Sequence, residues 1–203
     1  MSPLVSSIAA KLIASIAASV TQMRLDADVL FPMMLRDTLL RAAAADCFRP
    51  HWSSQILDEV TRNLVSDYGM EPSRAAALRA IMEEAFPDAN VEGWEVMEPT
   101  MRNHPKDRHV AAAAAAIGAG IIITSDIRDL SVLPAGIVAM TPDDFLVSLM
   151  DTDADRLLEA LVAQAAGYRR PTLSVVGLVE KLSGIAPKFA AKALSILSDP
   201  KAE

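Results

Sequence analysis

Residues 121–126 read IIITSD, and they follow Gly118 and Gly120, which end an alanine-rich helical stretch. Isoleucine is β-branched and favours strands, and a run that is apolar at every position indicates a strand buried on both faces. Asp126 comes directly after this run. The stretch therefore predicts a buried parallel strand with an acidic side chain at its carboxyl end.

On both sides of this strand, short apolar runs alternate with longer helical patterns. Strands are predicted at 23–28, 47–51, 91–97, 121–124 and 136–140, and helices at 33–45, 53–67, 72–85 and 107–117. Strands that alternate with helices favour a parallel sheet with helices on both faces. We therefore expect an α/β fold, a three-layer α/β/α domain around a central parallel sheet.

The pattern changes after residue 150, where only helices are predicted, at 153–166, 173–182 and 187–197. We divide the chain into a leading segment (1–22), an α/β domain (23–150) and an all-helical C-terminal extension (151–203). Residues 4–20 are apolar, but Lys11 interrupts them where a signal peptide would be uncharged, so an amphipathic helix is expected. We also expect the α/β domain to keep its site when 151–203 are deleted.

The composition limits the function classes. The chain has 203 residues, of which 52% are hydrophobic and 22% charged, as in globular proteins. A net charge of −7 counts against general nucleic-acid binding but agrees with carboxylates that hold a metal. Cys47 is the single cysteine, which favours a reducing cytoplasm, and charged residues interrupt every candidate membrane span.

Four carboxylates are expected to meet at one end of the sheet: Asp26, Glu59, Asp107 and Asp126. Asp26 and Asp126 each end a predicted strand, where α/β sheets place their functional groups. Asp107 begins the alanine-rich helix. Each alone could be only a helix cap or a turn former.

Glu59 lies on a helix whose apolar stripe is formed by Ile56, Leu57, Val60 and Leu64. At about 100° per residue, Glu59 borders this stripe whereas Asp58 points away from it. We expect Glu59 to face the sheet edge, and Asp58 to be exposed and paired with Arg62 four residues later.

Clustered carboxylates repel one another, and a divalent cation relieves that repulsion. Mg²⁺ and Mn²⁺ prefer oxygen ligands, and a cation held in this way assists attack on a phosphate. The four carboxylates are therefore predicted to bind Mg²⁺ or Mn²⁺, directly or through water.

Four segments resemble, in order, the acidic motifs of PIN domains, and most closely those of VapC-type toxins. The segments are LDADVLF (25–31), ILDEV (56–60), KDRHVA (106–111) and ITSD (123–126). The resemblance covers about residues 23–150. It implies a Mg²⁺- or Mn²⁺-dependent endoribonuclease, an RNA substrate, a cognate antitoxin as partner, and a homodimer. Asp28 departs from the family, which often has a neutral residue there.

Several alternatives stay open. Asp129 is interpreted as a helix-start residue and not as a fifth site residue. Lys106 and Arg108 are solvated charges or phosphate contacts, whereas His104 and His109 are packed side chains or participants in metal binding or proton transfer. At the level of function, the alternatives are a catalytically silent PIN-like module that binds RNA or protein, a DNA-directed nuclease of the same fold, and an unrelated phosphatase.

Overall fold

The protein was analysed as a computed structural model, which describes residues 22–198. The predicted leading helix at 4–20 lies outside the described residues. Within them, the sheet consists of β1 (Gln22–Leu25), β2 (Arg49–His51), β3 (Ile121–Ile123) and β4 (Val138–Met140). All its pairings are parallel, in the order β2-β1-β3-β4.

The centre of the sheet is buried on both faces. All three isoleucines of β3 are buried, and successive strand side chains point to opposite faces. Met23, Arg24 and Leu25 of β1 are buried in the same way. Both faces of the central strands are therefore covered, which confirms the predicted α/β fold with a parallel sheet.

The helices before β3 follow the sequence pattern closely. They are α1 (Ala27–Leu30), α2 (Met33–Ala44), α3 (Ser54–Ser66), α4 (Pro72–Ala85) and α5 (Arg108–Ala116). Ser53 caps α3 through its hydroxyl, and Pro72 occupies the first turn of α4. The short α1 was not predicted, because its first two residues were assigned to the end of the first strand and its last two to no element.

The strand predicted at 91–97 is wrong. Gly93 adopts a left-handed backbone with φ of 72°, and a 3₁₀ turn at Trp94–Val96 follows. The apolar side chains of this segment, whose pattern predicted a strand, do not pack in the sheet. Val91 and Trp94 form a small separate cluster with buried alanines of α5, 111–113. The hydrophobic pattern there reflects packing against a helix and not pairing in a sheet.

After β4 the described chain is mainly helical, with α6 (Pro142–Thr152), α7 (Ala154–Gly167), α8 (Val175–Leu182) and α9 (Pro187–Leu197). Thr141 caps α6, and its hydroxyl accepts a hydrogen bond from the Asp144 N–H at 3.1 Å. No helix within residues 22–198 is long and apolar enough to cross a membrane.

These C-terminal helices share the hydrophobic core of the sheet domain. Leu161 of α7 and Phe189 of α9 belong to the same buried cluster as the strand residues. Gln164 of α7 accepts a hydrogen bond from the Thr38 hydroxyl at 2.8 Å and donates to the Met34 carbonyl at 3.1 Å. This packing bears on our expectation that the site stays assembled when 151–203 are deleted, because the deletion would remove part of the shared core. The boundary at 151 stays a prediction.

Candidate metal centre

Asp26 lies where β1 ends, beside the end of β3. Its backbone N–H donates to the Ile123 carbonyl at 3.1 Å, which joins the two strand ends. Its Oδ1 accepts a hydrogen bond from the Ala27 N–H at 2.7 Å and so caps α1. The side chain is half-buried, and one carboxylate oxygen is fixed by the cap. Its position at the carboxyl end of a parallel strand is the predicted one.

Asp28 connects α1 to the loop after β3. Its Oδ2 accepts hydrogen bonds from the Ser125 N–H at 2.6 Å and the Thr124 hydroxyl at 3.5 Å. Burial and then the charge of Asp26 raise the pKa of Asp28 to about 6, although both hydrogen bonds oppose this shift. The other carboxylate oxygen of Asp28, Oδ1, is buried and has no hydrogen-bond partner among the described residues.

Asp107 precedes α5, but its side chain does not cap that helix. It occupies the N-cap position without a side-chain hydrogen bond, so the cap interpretation does not explain this carboxylate. The side chain is 16% exposed, and its buried Oδ2 has no hydrogen-bond partner within residues 22–198. Burial raises the pKa of Asp107, and the charges of Asp26 and Asp129 raise it further against Lys106 and His109.

A group of three side chains offers ligand atoms within 4.8 Å of one another: His104, Asp107 and Asp129. Asp129 lies in a turn after β3 and not at a helix start, so that interpretation is wrong. The chain forms turns and bends between β3 and β4. The turn brings Asp129 beside the residues that precede α5.

Glu59 and Asp58 have the exposures that the helical stripe predicts. Glu59 is half-buried on α3, which packs against α1, whereas the side chain of Asp58 is 62% exposed. The ion partner predicted for Asp58 is wrong. Asp58 pairs with Arg79 of α4 and not with Arg62, because α4 packs along α3 and brings Arg79 to it.

Asp126 follows β3 but is exposed. Its backbone N–H donates to the Thr124 hydroxyl at 3.1 Å, an arrangement typical of a turn. Its side chain lines an open cleft together with Asp28, Ser125, Ile127 and Arg128. This cleft borders the strand ends that carry Asp26.

Of the four predicted ligands, Asp107 alone belongs to the closely spaced group, and the charge of Asp26 acts on it. Glu59 and Asp126 lie on elements that border the same end of the sheet. Their roles as ligands, and that of Asp26, stay predictions.

Arg24 was not singled out by the sequence, whereas His109 was left with two interpretations. Arg24 is fully buried on β1, and its Nη2 donates to the Ser53 hydroxyl at 2.8 Å. Burial lowers the pKa of Arg24 to about 9, whereas the charge of Asp26 opposes this shift. Its place in an apolar strand, two residues before Asp26, was the available signal. His109 is buried with its ring 6.1 Å from that of Trp94, which confirms the packed interpretation.

The donor set fits a divalent cation. It consists of two carboxylates, Asp107 and Asp129, and the imidazole of His104, and the buried Oδ2 of Asp107 has no hydrogen-bond partner in the described chain. A buried carboxylate oxygen without a hydrogen bond is costly, and a cation relieves that cost. Oxygen-rich sets of this kind suit Mg²⁺ and Mn²⁺.

Comparison with known proteins gives one family model and one relative, and both carry the same VapC50 name. Residues 142–195 match the family model described as VapC50 C-terminal domain. A relative from Mycobacterium tuberculosis (strain ATCC 25618 / H37Rv), named "Putative ribonuclease VapC50", is 34% identical over 104 residues. That alignment covers 50% of this chain and 62% of the relative. No solved structure matches the chain.

The family match begins at residue 142 and so includes all of α6, whereas our boundary at 151 left most of that helix in the preceding domain. It also agrees with the observed packing of α6 against α9. These findings agree with the resemblance stated from the motifs: the chain is similar to a protein named as a VapC ribonuclease, and its C-terminal helices match the model of the VapC50 C-terminal domain.

Proposed function

We propose that this protein is a divalent-metal-dependent endoribonuclease, the toxin of a toxin–antitoxin pair. The observation that supports it best is the Asp107 carboxylate. It is mostly buried, it caps nothing, and it lies within 4.8 Å of ligand atoms of His104 and Asp129 at the end of the sheet that carries Asp26. A mostly buried carboxylate without a hydrogen bond to its buried oxygen is costly, and a bound cation relieves that cost.

We assign the residues different roles in binding the cation. Asp107 and Asp129 would bind it directly, and Asp26, Glu59 and Asp126 directly or through water. Bound Mg²⁺ or Mn²⁺ supplies an activated water and stabilises negative charge on the phosphate. Asp28 positions the site, because its hydrogen bond to the Ser125 N–H holds the loop after β3 against α1.

The substrate is a polyanion and the site is acidic. Basic side chains at the rim of the site would therefore help the substrate to bind. Arg128 is exposed beside Asp126 in the open cleft, and Lys106 is exposed next to Asp107. Both are suited to contact phosphates of the substrate. Arg108 is less suited, because its Nε donates to the Asn103 carbonyl at 3.4 Å.

The choice of RNA, the antitoxin, the homodimer and the cytoplasmic location are part of this proposal. They rest on the similarity to the relative named as a ribonuclease and to VapC-type toxins. Geometry alone does not distinguish RNA from DNA.

The test is cleavage of total RNA by the purified full-length protein, with Mn²⁺, with Mg²⁺ and with EDTA. A parallel sample contains single-stranded DNA. We expect discrete RNA fragments that require the metal, and sequencing of their ends identifies the cut. Cleavage of the DNA alone would move the proposal to a DNA-directed nuclease. No cleavage of either by folded protein with bound metal would favour the silent RNA- or protein-binding module.

A further inference from the structure

We propose that His104 is a ligand of the metal and that its imidazole gives the site a preference for Mn²⁺ over Mg²⁺. This inference rests on the metal site of the proposed function but not on the identity of the substrate. His104 is outside the acidic quartet that the sequence predicted.

The backbone places His104 between its two acidic neighbours. Its N–H donates to the Asp129 carbonyl at 3.3 Å, and its carbonyl accepts from the Asp107 N–H at 2.9 Å. Pro105 follows directly and restricts the backbone of the turn. The three residues are thus joined through their main chains, and the closeness of their side chains does not depend on flexible surface rotamers alone.

The distances suit ligands that share an ion. His104 Nδ1 lies 3.8 Å from Asp107 Oδ2, which is too long for a hydrogen bond. Two ligands bound at about 2.2 Å from one ion are about 3 Å apart when adjacent and about 4.4 Å apart when opposite. The measured separation falls between these values, and all three ligand atoms lie within 4.8 Å of one another.

A second observation points to a cation at the same place. Asp107 Oδ2, the atom nearest the imidazole, is buried without a hydrogen-bond partner in residues 22–198. The nearby carboxylates of Asp26 and Asp129 add negative charge. The imidazole itself is 56% exposed, so its nitrogen is accessible to an ion that arrives from solvent.

The nitrogen ligand decides the preference. Mg²⁺ demands near-ideal octahedral oxygen coordination and keeps several waters, whereas imidazole suits ions further along the transition series. Of the two predicted ions, Mg²⁺ and Mn²⁺, Mn²⁺ is the one that accepts an imidazole nitrogen together with carboxylate oxygens. Removing the imidazole should therefore weaken Mn²⁺ binding more than Mg²⁺ binding.

The test is pulsed electron paramagnetic resonance of Mn²⁺ bound to the full-length protein, read for coupling to a directly bound nitrogen. His104→Ala is the variant. His51→Ala is the control, because it also removes one of the three histidines of the chain but at a position on β2, outside the closely spaced group. Calorimetric titration gives the Mn²⁺ and Mg²⁺ affinities of each protein, and circular dichroism confirms that both variants fold.

We expect a nitrogen coupling in the unmodified protein and in His51→Ala, and its loss in His104→Ala. The ratio of Mn²⁺ to Mg²⁺ affinity should fall about tenfold in His104→Ala. Mn²⁺ bound without nitrogen coupling, a coupling that persists in His104→Ala, or no Mn²⁺ binding at all would overturn the inference.

The two proposals fail separately. If the nitrogen coupling depends on His104 but the protein cuts no nucleic acid, His104 is a metal ligand and the proposed nuclease activity is wrong. If the protein cleaves RNA with the metal but shows no nitrogen coupling, the nuclease activity is supported and His104 is not a metal ligand.

Discussion

The Nδ1 atom of His104 lies 3.8 Å from Oδ2 of Asp107, and the Asp107 N–H donates to the His104 carbonyl at 2.9 Å. This turn places Asp107 before α5 without using its side chain as a helix cap. The carboxylate therefore remains available to a ligand at the carboxyl ends of β1 and β3.

Glu59 and Asp58 provide a matched pair on one helix. Because Glu59 is half-buried beside α1 and Asp58 is paired with Arg79 on the surface, only Glu59 is placed to serve the site. We expect Glu59→Gln to lower the cleavage rate about tenfold or more, and Asp58→Asn to leave it nearly unchanged. Rates are measured on one defined RNA at saturating Mn²⁺. Equal effects of the two substitutions would remove Glu59 from the site.

Asp126 and Asp129 test which acidic residue after β3 contributes more. Asp129 belongs to the closely spaced group, whereas Asp126 is exposed at the rim of the cleft. We expect both Asp126→Asn and Asp129→Asn to reduce Mn²⁺ affinity, with the effect of Asp129→Asn at least as large. The affinities come from calorimetric titration. A normal affinity in Asp129→Asn would exclude Asp129 as a ligand of the metal.

Asp28 should make the apo protein sensitive to pH. Because its pKa is raised from 3.8 to about 6, the folded state favours the protonated carboxyl. Its contribution to stability is thus fully present below about pH 4 and is lost as the pH rises through 6. Asp28→Asn removes this loss and keeps an oxygen to accept the Ser125 N–H.

We therefore expect Asp28→Asn to increase the free energy of unfolding by about 1–2 kcal/mol at pH 7.5 and to change it little at pH 4. Urea denaturation in EDTA at both pH values measures the difference. A gain that is as large at pH 4 as at pH 7.5 would show that ionisation of Asp28 is not its cause.

Leu161 tests whether the C-terminal helices stabilise the sheet domain. It is 1% exposed in the shared core, whereas its neighbour Val162 is 51% exposed. We expect Leu161→Ala to lower the free energy of unfolding by about 2–5 kcal/mol and Val162→Ala by less than about 0.5 kcal/mol.

Tryptophan fluorescence follows this unfolding, because Trp52 and Trp94 both lie outside the C-terminal helices. A shared core predicts that Leu161→Ala shifts the fluorescence transition. If the transition stays in place while the helical signal of α6–α9 is lost earlier, the extension folds as a separate unit.

Local patterns in the sequence predicted much of the fold. The isoleucine run gave a correct buried strand, and Pro72 and Ala85 bound a helix at the predicted residues, because β-branching and proline act through their own backbone. The strand at 91–97 failed because its apolar residues pack against α5. The predicted pairing of Asp58 with Arg62 was wrong because Arg79 of the neighbouring helix α4 pairs with Asp58 instead.

The site was predictable only in part, for a similar reason. Position after a strand identified Asp26, and position before the alanine-rich helix identified Asp107. Asp129 could not be grouped with His104 and Asp107 from spacing, because a turn and a backbone hydrogen bond across 25 residues of chain bring it to them. Such contacts depend on the folded loops and leave no periodic signal.

The most direct measurement of the central claim is single-turnover RNA cleavage at saturating Mn²⁺ by Asp107→Asn, with Asp155→Asn as control. Asp155 is an exposed aspartate in the first turn of α7, so its loss changes the net charge by the same amount. We predict that Asp107→Asn folds normally and loses cleavage on the order of a hundredfold or more, while Asp155→Asn retains it. A folded Asp107→Asn protein that cleaves within about twofold of the unmodified rate would contradict the account.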